Sequence, residues 1–417
     1  MSKPESIKVF EYQSIAWKGR YSDKRFTSGM FSAFEKYFQA NERTPFFEMI
    51  PYGVRFKQYV GAIQIGKHTI EVLPKVGKED RKDIWQKVLL DMLKTCHMLT
   101  AKQTGNATLK LRANSVLELY FELFVSKVEA LIHQGLIKKY RKTEGQQKAL
   151  KGALVFSKNI AKNVVHKERF YTRHSVYDKN HLLHQVLFVA LGLVKRLSTE
   201  SRLKDRIGRV ELDFPDVNAL QVTEAHFSKL STDRKTFPYK NAVSIAKLLI
   251  LNYRPDLSAG RNDVLALMFD MNVLWEEYVY HILKKNVSIE FEVLAQRRHK
   301  FWETKIVKPD IVLKNKETNQ VFVIDTKWKV IDNKKPADND LKQMYVYNHH
   351  WNSSHSVLLY PRTNNQKDIK GTFAKPFNDA SHHCTLGFVD VIDNSGLRRD
   401  IYQNILDMIR VKDQLLN

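Results

Sequence analysis

The segment Lys308 to Val330, KPDIVLKNKETNQVFVIDTKWKV, holds the residue types and spacing with the most chemistry in them. Two apolar runs flank the polar stretch NKETNQ. Paired as an antiparallel hairpin turning between Glu317 and Thr318, they set Ile311 against Ile324 and Leu313 against Phe322 on one face. The other face then carries Val312 across from Val323 and Asp310 across from Asp325. Side chains alternate with period two, so Lys327 shares the face of Asp325. Two carboxylates and an ammonium thus meet at one end of an apolar hairpin. Carboxylates that close repel, and burial neutralises one of them unless a cation lies between. Mg²⁺ suits that place, because it takes one or two carboxylates, keeps waters and accepts phosphate oxygens. Lys327 would hold or help deprotonate an attacking water and offset charge on a pentacovalent phosphate. The plainer alternative is a turn acid, Asp310, beside a surface ion pair of Asp325 and Lys327. Against it, VFVI reads as a buried strand, and a charged DTK at its end needs a reason.

Two flanking stretches add candidates. Read as a helix, FDMNVLWEEYV (Phe269–Val279) puts Glu276 on a face with Phe269, Val273, Val279, Tyr280 and Leu283. A carboxylate on an apolar face wants a metal or a cationic partner, or else is a satisfied structural glutamate. Glu277, beside Asp270, His281 and Lys284, reads as solvated. Downstream, DLKQMYVYNHHW places Gln343 and Tyr347 four apart on one helical face, both able to bind a phosphate or a metal-bound water. The expected catalytic set is Asp310, Asp325, Lys327, Glu276, Gln343 and Tyr347. The expected metal ligands are Asp310, Asp325 and Glu276, with Thr326 counted beside them and Mn²⁺ as a substitute ion.

These residues need a scaffold, and the chain is long enough to build one. Its 417 residues are a prior of two or three domains at roughly 150 residues each. Hydrophobic residues at 43% and charged residues at 27% exclude a disordered, collagen-like or small disulfide-stapled protein. The 68 Lys and Arg against 45 Asp and Glu leave a net +23, which points to a polyanionic partner. A membrane is the weaker option. The most apolar run, Leu182 to Val194, is about 13 residues and contains His184 and Gln185, whereas a spanning helix needs about 20. The N-terminus lacks the apolar core of a secretion signal. Cys96 and Cys384 are isolated, so a reducing cytoplasm is expected, with no zinc site and no iron–sulfur cluster.

Residues 1–104 read as a β-rich module. In it Tyr59–Ile65 and His68–Leu73 form a hairpin around Gly66–Lys67, and Asp83–Leu99 is helical. Residues 105–258 read as mainly helical, with helices over Val116–Ile137, His181–Leu197 and Ala242–Leu251. RPDLSAGRND (Arg254–Asp263) marks a boundary. Residues 259–417 then read as a mixed α/β domain: Asp263–Leu283 helical, the hairpin, Leu341–Trp351 helical, and SVLLYP as a buried strand. If the net charge serves to bind DNA, the candidates to hold its phosphates are Arg297, Arg298 and Lys300 before the hairpin and Lys329, Lys334 and Lys335 after it. Gly61–His68, GAIQIGKH, imitates a phosphate loop. However, His68 stands where Ser or Thr must bind Mg²⁺, and the residues alternate as a strand does, so no nucleotide site is expected there. The pairs His181/His184, His349/His350 and His382/His383 have no zinc spacing and read as structural.

Taken in order, Glu276, Asp310, Asp325-Thr326-Lys327 and Gln343…Tyr347 resemble the PD-(D/E)xK nuclease core. The QxxxY extension is of the kind seen in RecB-like members, without their cysteine cluster. From about residue 50 to 361 the segments YVGAIQIGKHTIEVLPKV, GLIKKY, LKGALVF, DKNHLL, FDMNVLWEEYV and LLYP are similar to the McrC family, nuclease subunits of McrBC-type modified-cytosine restriction systems. The resemblance implies an α/β PD-(D/E)xK nuclease domain at the C-terminus, a mixed sheet flanked by helices that cuts double-stranded DNA. It implies an N-terminal part that engages a hexameric AAA+ GTPase ring, McrB, and stimulates GTP hydrolysis. Dimerisation of nuclease domains is left open. Two other readings stand beside this one: a stand-alone nuclease or junction resolvase, and a regulator of an AAA+ ring with a vestigial nuclease.

Overall fold

The computed structural model of the chain describes residues 6–41, 44–77, 80–100, 115–255, 263–331, 335–363, 365–374, 381–393 and 396–410. They fall into two compact units, one spanning Thr108–Pro255 and the other combining Met1–Ala107 with Asp256–Asn417. The two outer segments, read from sequence as separate domains of 1–104 and 259–417, are therefore one body. The reason is a strand that sequence periodicity does not reveal. Periodicity makes Asp263–Leu283 helical throughout, but Val264–Asp270 is a strand running antiparallel to Tyr59–Ile65, and the helix begins only at Met271. VLALMF is an unbroken apolar run, which a buried strand and a buried helix share. Pairing with the N-terminal hairpin decides between them.

In that sheet Ile7–Phe10 lies parallel to His68–Leu73, which pairs antiparallel with Tyr59–Ile65 as the alternation predicts. The phosphate-loop imitation is thus strand, turn and strand. Gly61 is needed for close approach of two strands. Its φ is 143°, and a Cβ there would stand 2.0 Å from the Leu267 carbonyl oxygen. Gly61→Ala should cost about 3 kcal/mol or more, since it meets both backbone strain and a neighbouring strand. A urea midpoint equal to that of the parent would refute this account of the glycine.

The candidate site rests on a second sheet in the order Phe291–Ala295, Ile311–Asn315, Val321–Thr326, His355–Pro361, His383–Val389, Ile369–Thr372. The first three strands are antiparallel, the next two pairings are parallel, and the last is antiparallel. A parallel pairing needs a crossover, which the helix Asp338–His350 supplies. Its Met344 and Tyr347, with Trp351, pack on Val312, Val323, Leu358, Tyr360 and Phe388. Gly387, one residue out of phase, points to the opposite side, where a Cβ would strike Met408 of the helix Ile401–Arg410.

The other unit holds the expected helices, Val116–Gln134, Leu182–Leu197 and Lys240–Leu251, the first closed by Gly135 at φ 87°. It also holds a sheet that the sequence does not announce. Lys139–Gln147 pairs with Phe170–Asp178, which pairs with Ala153–Leu154. KYRKTEGQQ has no apolar alternation because neither face is deeply buried, so period-two reasoning has nothing to detect. His184 is structural: its Nδ1 lies 2.7 Å from the Lys179 carbonyl and its Nε2 3.3 Å from Tyr239 Oη. Burial pushes its pKa down to about 4.

Candidate active site

The hairpin forms in the expected register, Ile311 with Ile324, Val312 with Val323 and Leu313 with Phe322. Continued by one pair, it brings Asp310 to Asp325. These residues stand where the Val321–Thr326 strand ends, beside the C-terminal end of its parallel neighbour; Lys327 N–H extends that ladder to the Leu359 carbonyl at 2.9 Å. Open α/β sheets commonly place their sites at such strand ends.

Asp325 is 1% exposed. Burial, then the Asp310 charge, pushes its pKa up to about 7, against the pull of Lys327. Lys327 Nζ lies 2.6 Å from Asp325 Oδ2, with its side chain 24% exposed, so the ammonium reaches solvent while its partner does not. Burial pulls the Lys327 pKa down, but the Asp325 charge, with Asp340 and Asp310, leaves it raised on balance. Asp310 is half-buried and also raised, by burial above all. Its Oδ2 accepts the Thr326 N–H at 2.7 Å and the Thr326 hydroxyl at 2.9 Å. Thr326, counted among metal ligands, therefore spends its N–H and hydroxyl on aiming Asp310.

Glu276 sits at the edge of the apolar face assigned to it, of which Val279 and Leu283 are buried. The buried stripe of Met271–Asn286 runs through Met271, Leu274, Trp275, Tyr278, Val279, Ile282 and Leu283, while Val273 is 51% exposed. Starting the helix at Met271 rotates nothing, but it removes Phe269 from the helix, and Asp270 becomes its N-cap, accepting the N–H groups of Asn272 and Val273. Glu276 is half-buried at the rim. Burial, then the Asp310 charge, lifts its pKa to about 7. Gln296 Nε2 donates to its Oε1 at 2.7 Å. Among the described residues no three His, Cys, Asp or Glu side chains are grouped to hold a metal ion. The three-carboxylate set is thus not assembled; Asp310 and Asp325 stand as a pair with Glu276 beside them.

Gln343 and Tyr347 share a helical face as expected, yet they address each other and the backbone. Gln343 Nε2 donates to Tyr347 Oη at 2.6 Å, and Tyr347 Oη donates to the Lys308 carbonyl at 2.9 Å. Tyr347 is buried, and its pKa is pushed up to about 12 by burial. This pair braces the strand that presents Asp310.

Four further residues at the site escape sequence reasoning. Gln296, held at φ 46°, joins Glu276 to Asp310, whose carbonyl accepts its N–H at 2.9 Å. Glu11 Oε1 accepts from Trp328 Nε1 at 2.9 Å and from Lys75 N–H at 3.0 Å. Trp328 is wedged between Trp275 and Trp85, with ring centroids at 5.4 and 6.5 Å. The residue after Lys327 is thereby anchored in the N-terminal sheet. Asp340 takes Lys329 Nζ at 2.6 Å. No local signal marks any of these, because each partner is distant in sequence. Of the basic candidates, Arg297, Arg298, Lys300, Lys329 and Lys335 are exposed, and Lys334 lies outside the described residues.

A family model described as "McrBC 5-methylcytosine restriction system component" matches residues 54–361. Among curated proteins, the type IV methyl-directed restriction enzyme EcoKMcrBC of Escherichia coli K12 is 19% identical over 235 residues, 52% of this chain and 65% of the relative. The chain therefore matches less than two thirds of that relative's length. Among solved structures, a chain from a Thermococcus gammatolerans assembly of McrB AAA+ hexamers with bound McrC superposes with a TM-score of 0.60. It has 19% identity and covers 96% of this chain and 100% of its own. A second chain, from the cryo-EM structure of the same organism's McrBC complex, gives 0.47 at 17% identity, over 72% and 90%. The first of these shares the fold. Among the described residues no helix is long and apolar enough to cross a membrane.

Proposed function

Because this chain belongs to the family of McrBC 5-methylcytosine restriction system components, we propose that it is the DNA-cutting subunit of such a system, an Mg²⁺-dependent endonuclease with a PD-(D/E)xK centre. The observation that carries the reading is Asp325: a carboxylate 1% exposed, set opposite a second carboxylate and bound to a lysine that reaches solvent. An apolar strand does not end in such a cluster for stability, since each buried charge costs several kcal/mol before pairing.

The donor set fits Mg²⁺, or Mn²⁺ in its place: hard oxygens on two carboxylates, each driven toward its proton by burial beside the other. When bound, the ion would polarise the phosphate and lower the pKa of an attacking water. Asp310 and Asp325 would hold it, and Thr326 fixes the rotamer of Asp310. Lys327 offsets charge on the phosphate oxygens. Glu276, already near neutrality, is placed to take or return a proton at its carboxyl. Tyr347 and Gln343 position Asp310 and do not reach the reacting atoms.

The partner in this reading is an AAA+ GTPase ring of the McrB kind, and the location is the cytoplasm. The family resemblance implies ring engagement by the N-terminal part, residues 1–104. The unit Thr108–Pro255 has a surface suited to it: Phe156, Ile160 and Val164 follow one another at four-residue spacing, 71, 64 and 63% exposed, with Val165 at 84%. Large apolar side chains grouped in water mark a protein contact.

Cleavage of a modified-cytosine duplex, with and without the ring protein and with Mg²⁺ or EDTA, tests the whole reading. Cutting should require the ion and be strongest with the ring. Lys327→Ala should still stimulate the ring's GTP hydrolysis while failing to cut. No cutting under any condition, with GTP hydrolysis still stimulated, would establish a regulator with a vestigial nuclease. Full cutting without a ring would establish a stand-alone nuclease.

A further inference from the structure

His299–Trp302 and Lys305–Val307 pair only with each other, as a two-stranded hairpin outside the six-stranded sheet, and their chain runs directly into Pro309 and Asp310. The base of this hairpin is anchored. His299 stacks on Trp351 with ring centroids at 4.3 Å. The register shifts between Lys300 and Trp302, a bulge that re-aims the intervening side chain, and Phe301 meets His350 edge-on at 5.6 Å. The tip is different. Trp302, beside the turn and paired with Lys305, is 61% exposed and is the only one of the six tryptophans that is exposed; Ile306, 54% exposed, pairs with Lys300 and so faces the other side of the hairpin. Lys305 lies across from Trp302, Lys300 lies across from Ile306, and Arg297 and Arg298 precede the first strand, while Glu303 in the turn is the one acid between Arg297 and Val307.

An aromatic tip on a hairpin with basic side chains along it is charge-complementary to a duplex and unsuited to a basic protein face. We propose that this hairpin is a wedge for double-stranded DNA. Its cationic side chains seat on phosphates, while the Trp302 indole enters a base step and unstacks it close to the strand that Asp310 and Asp325 address. Apolar wedges of this kind kink a duplex, at the cost of stacking, and so widen its contact with the protein. Phosphate contacts give register and affinity but no unstacking, so the two contributions separate experimentally. The inference rests on the DNA-cutting reading.

The test uses the full-length chain in EDTA with a short duplex carrying 2-aminopurine at scanned positions. The parent protein should bind, raise 2-aminopurine emission at one or a few steps, and lose the acrylamide quenching of its exposed tryptophan. Trp302→Ala should bind about tenfold more weakly, the scale of one base–aromatic stack, with the salt slope unchanged and the 2-aminopurine signal gone. Trp302→Phe should keep most of both, and Arg297→Ala with Arg298→Ala should lower the slope instead. Binding by the parent with no unstacking at any step, or an unaltered signal in a folded Trp302→Ala protein, overturns the wedge. Protection of the tryptophan by the ring protein but not by DNA would assign the tip to a protein contact and also overturn it. Failure of the parent to bind any duplex would sink the DNA-cutting reading itself, a result distinct from binding without unstacking.

Discussion

Asp325→Asn and Asp310→Asn are each expected to lower DNA cutting by on the order of a thousandfold or more while leaving the chain folded. The size follows from what each carboxylate does. Asp325 is buried and has Lys327 as its counter-charge, so an amide there removes an ion ligand and releases the lysine together. Asp310 is fixed by both hydrogen bonds from Thr326, and an amide in its place presents one neutral oxygen where a charged pair stood. Neither change should unfold the protein, because in metal-free conditions each removes a repulsion. Cutting assays paired with thermal melts decide it. A variant that cuts at the parental rate takes its residue out of the centre, and one that fails to fold shows the carboxylate to be structural.

In metal-free buffer the chain should lose a few kcal/mol of stability as pH rises from about 4 to about 7.5. Asp325, Glu276 and Glu11 are each lifted to about 7, chiefly by burial, from ordinary values of 3.8, 4.5 and 4.5. A raised carboxyl means the native state holds the proton more tightly than the unfolded chain. Its contribution is complete below the unfolded value and disappears as pH passes through the folded one. Glu276, half-buried, contributes least because solvent screens it. Asp325→Asn and Glu11→Gln should each flatten the profile. Mg²⁺ favours the ionised pair, so it should stabilise more at pH 8 than at pH 5 and do nothing for Asp325→Asn. Melting temperatures that climb from pH 5 to pH 8 without metal would contradict the assigned shifts.

Tyr347 shows why a spacing can be right and the inferred contact incomplete. The four-residue separation from Gln343 is a property of any helix, so their common face can be read directly. Which way that face points depends on a crossover between parallel strands, and it turns Tyr347 inward to the Lys308 carbonyl. Glu276 makes the same point. Its helix is legible, but periodicity starts it several residues early, because a strand buried on both sides and a helix buried all round have the same composition. Asp270 at the N-cap is the available clue.

What the amino-acid sequence determined by itself was local and periodic. The alternation of IVL and VFVI, with a polar turn between, sets the register that carries Asp310 to Asp325 and Lys327 to the same face, since a slip of one residue would bury the wrong side chains. Tertiary structure alone decided everything that depends on partners far along the chain. It set Val264–Asp270 in the N-terminal sheet, Glu11 on the Trp328 indole, and Gln296 between Glu276 and Asp310. Such contacts are chosen by which apolar faces can be buried together, and burial is a property of the assembled body that no window of residues contains.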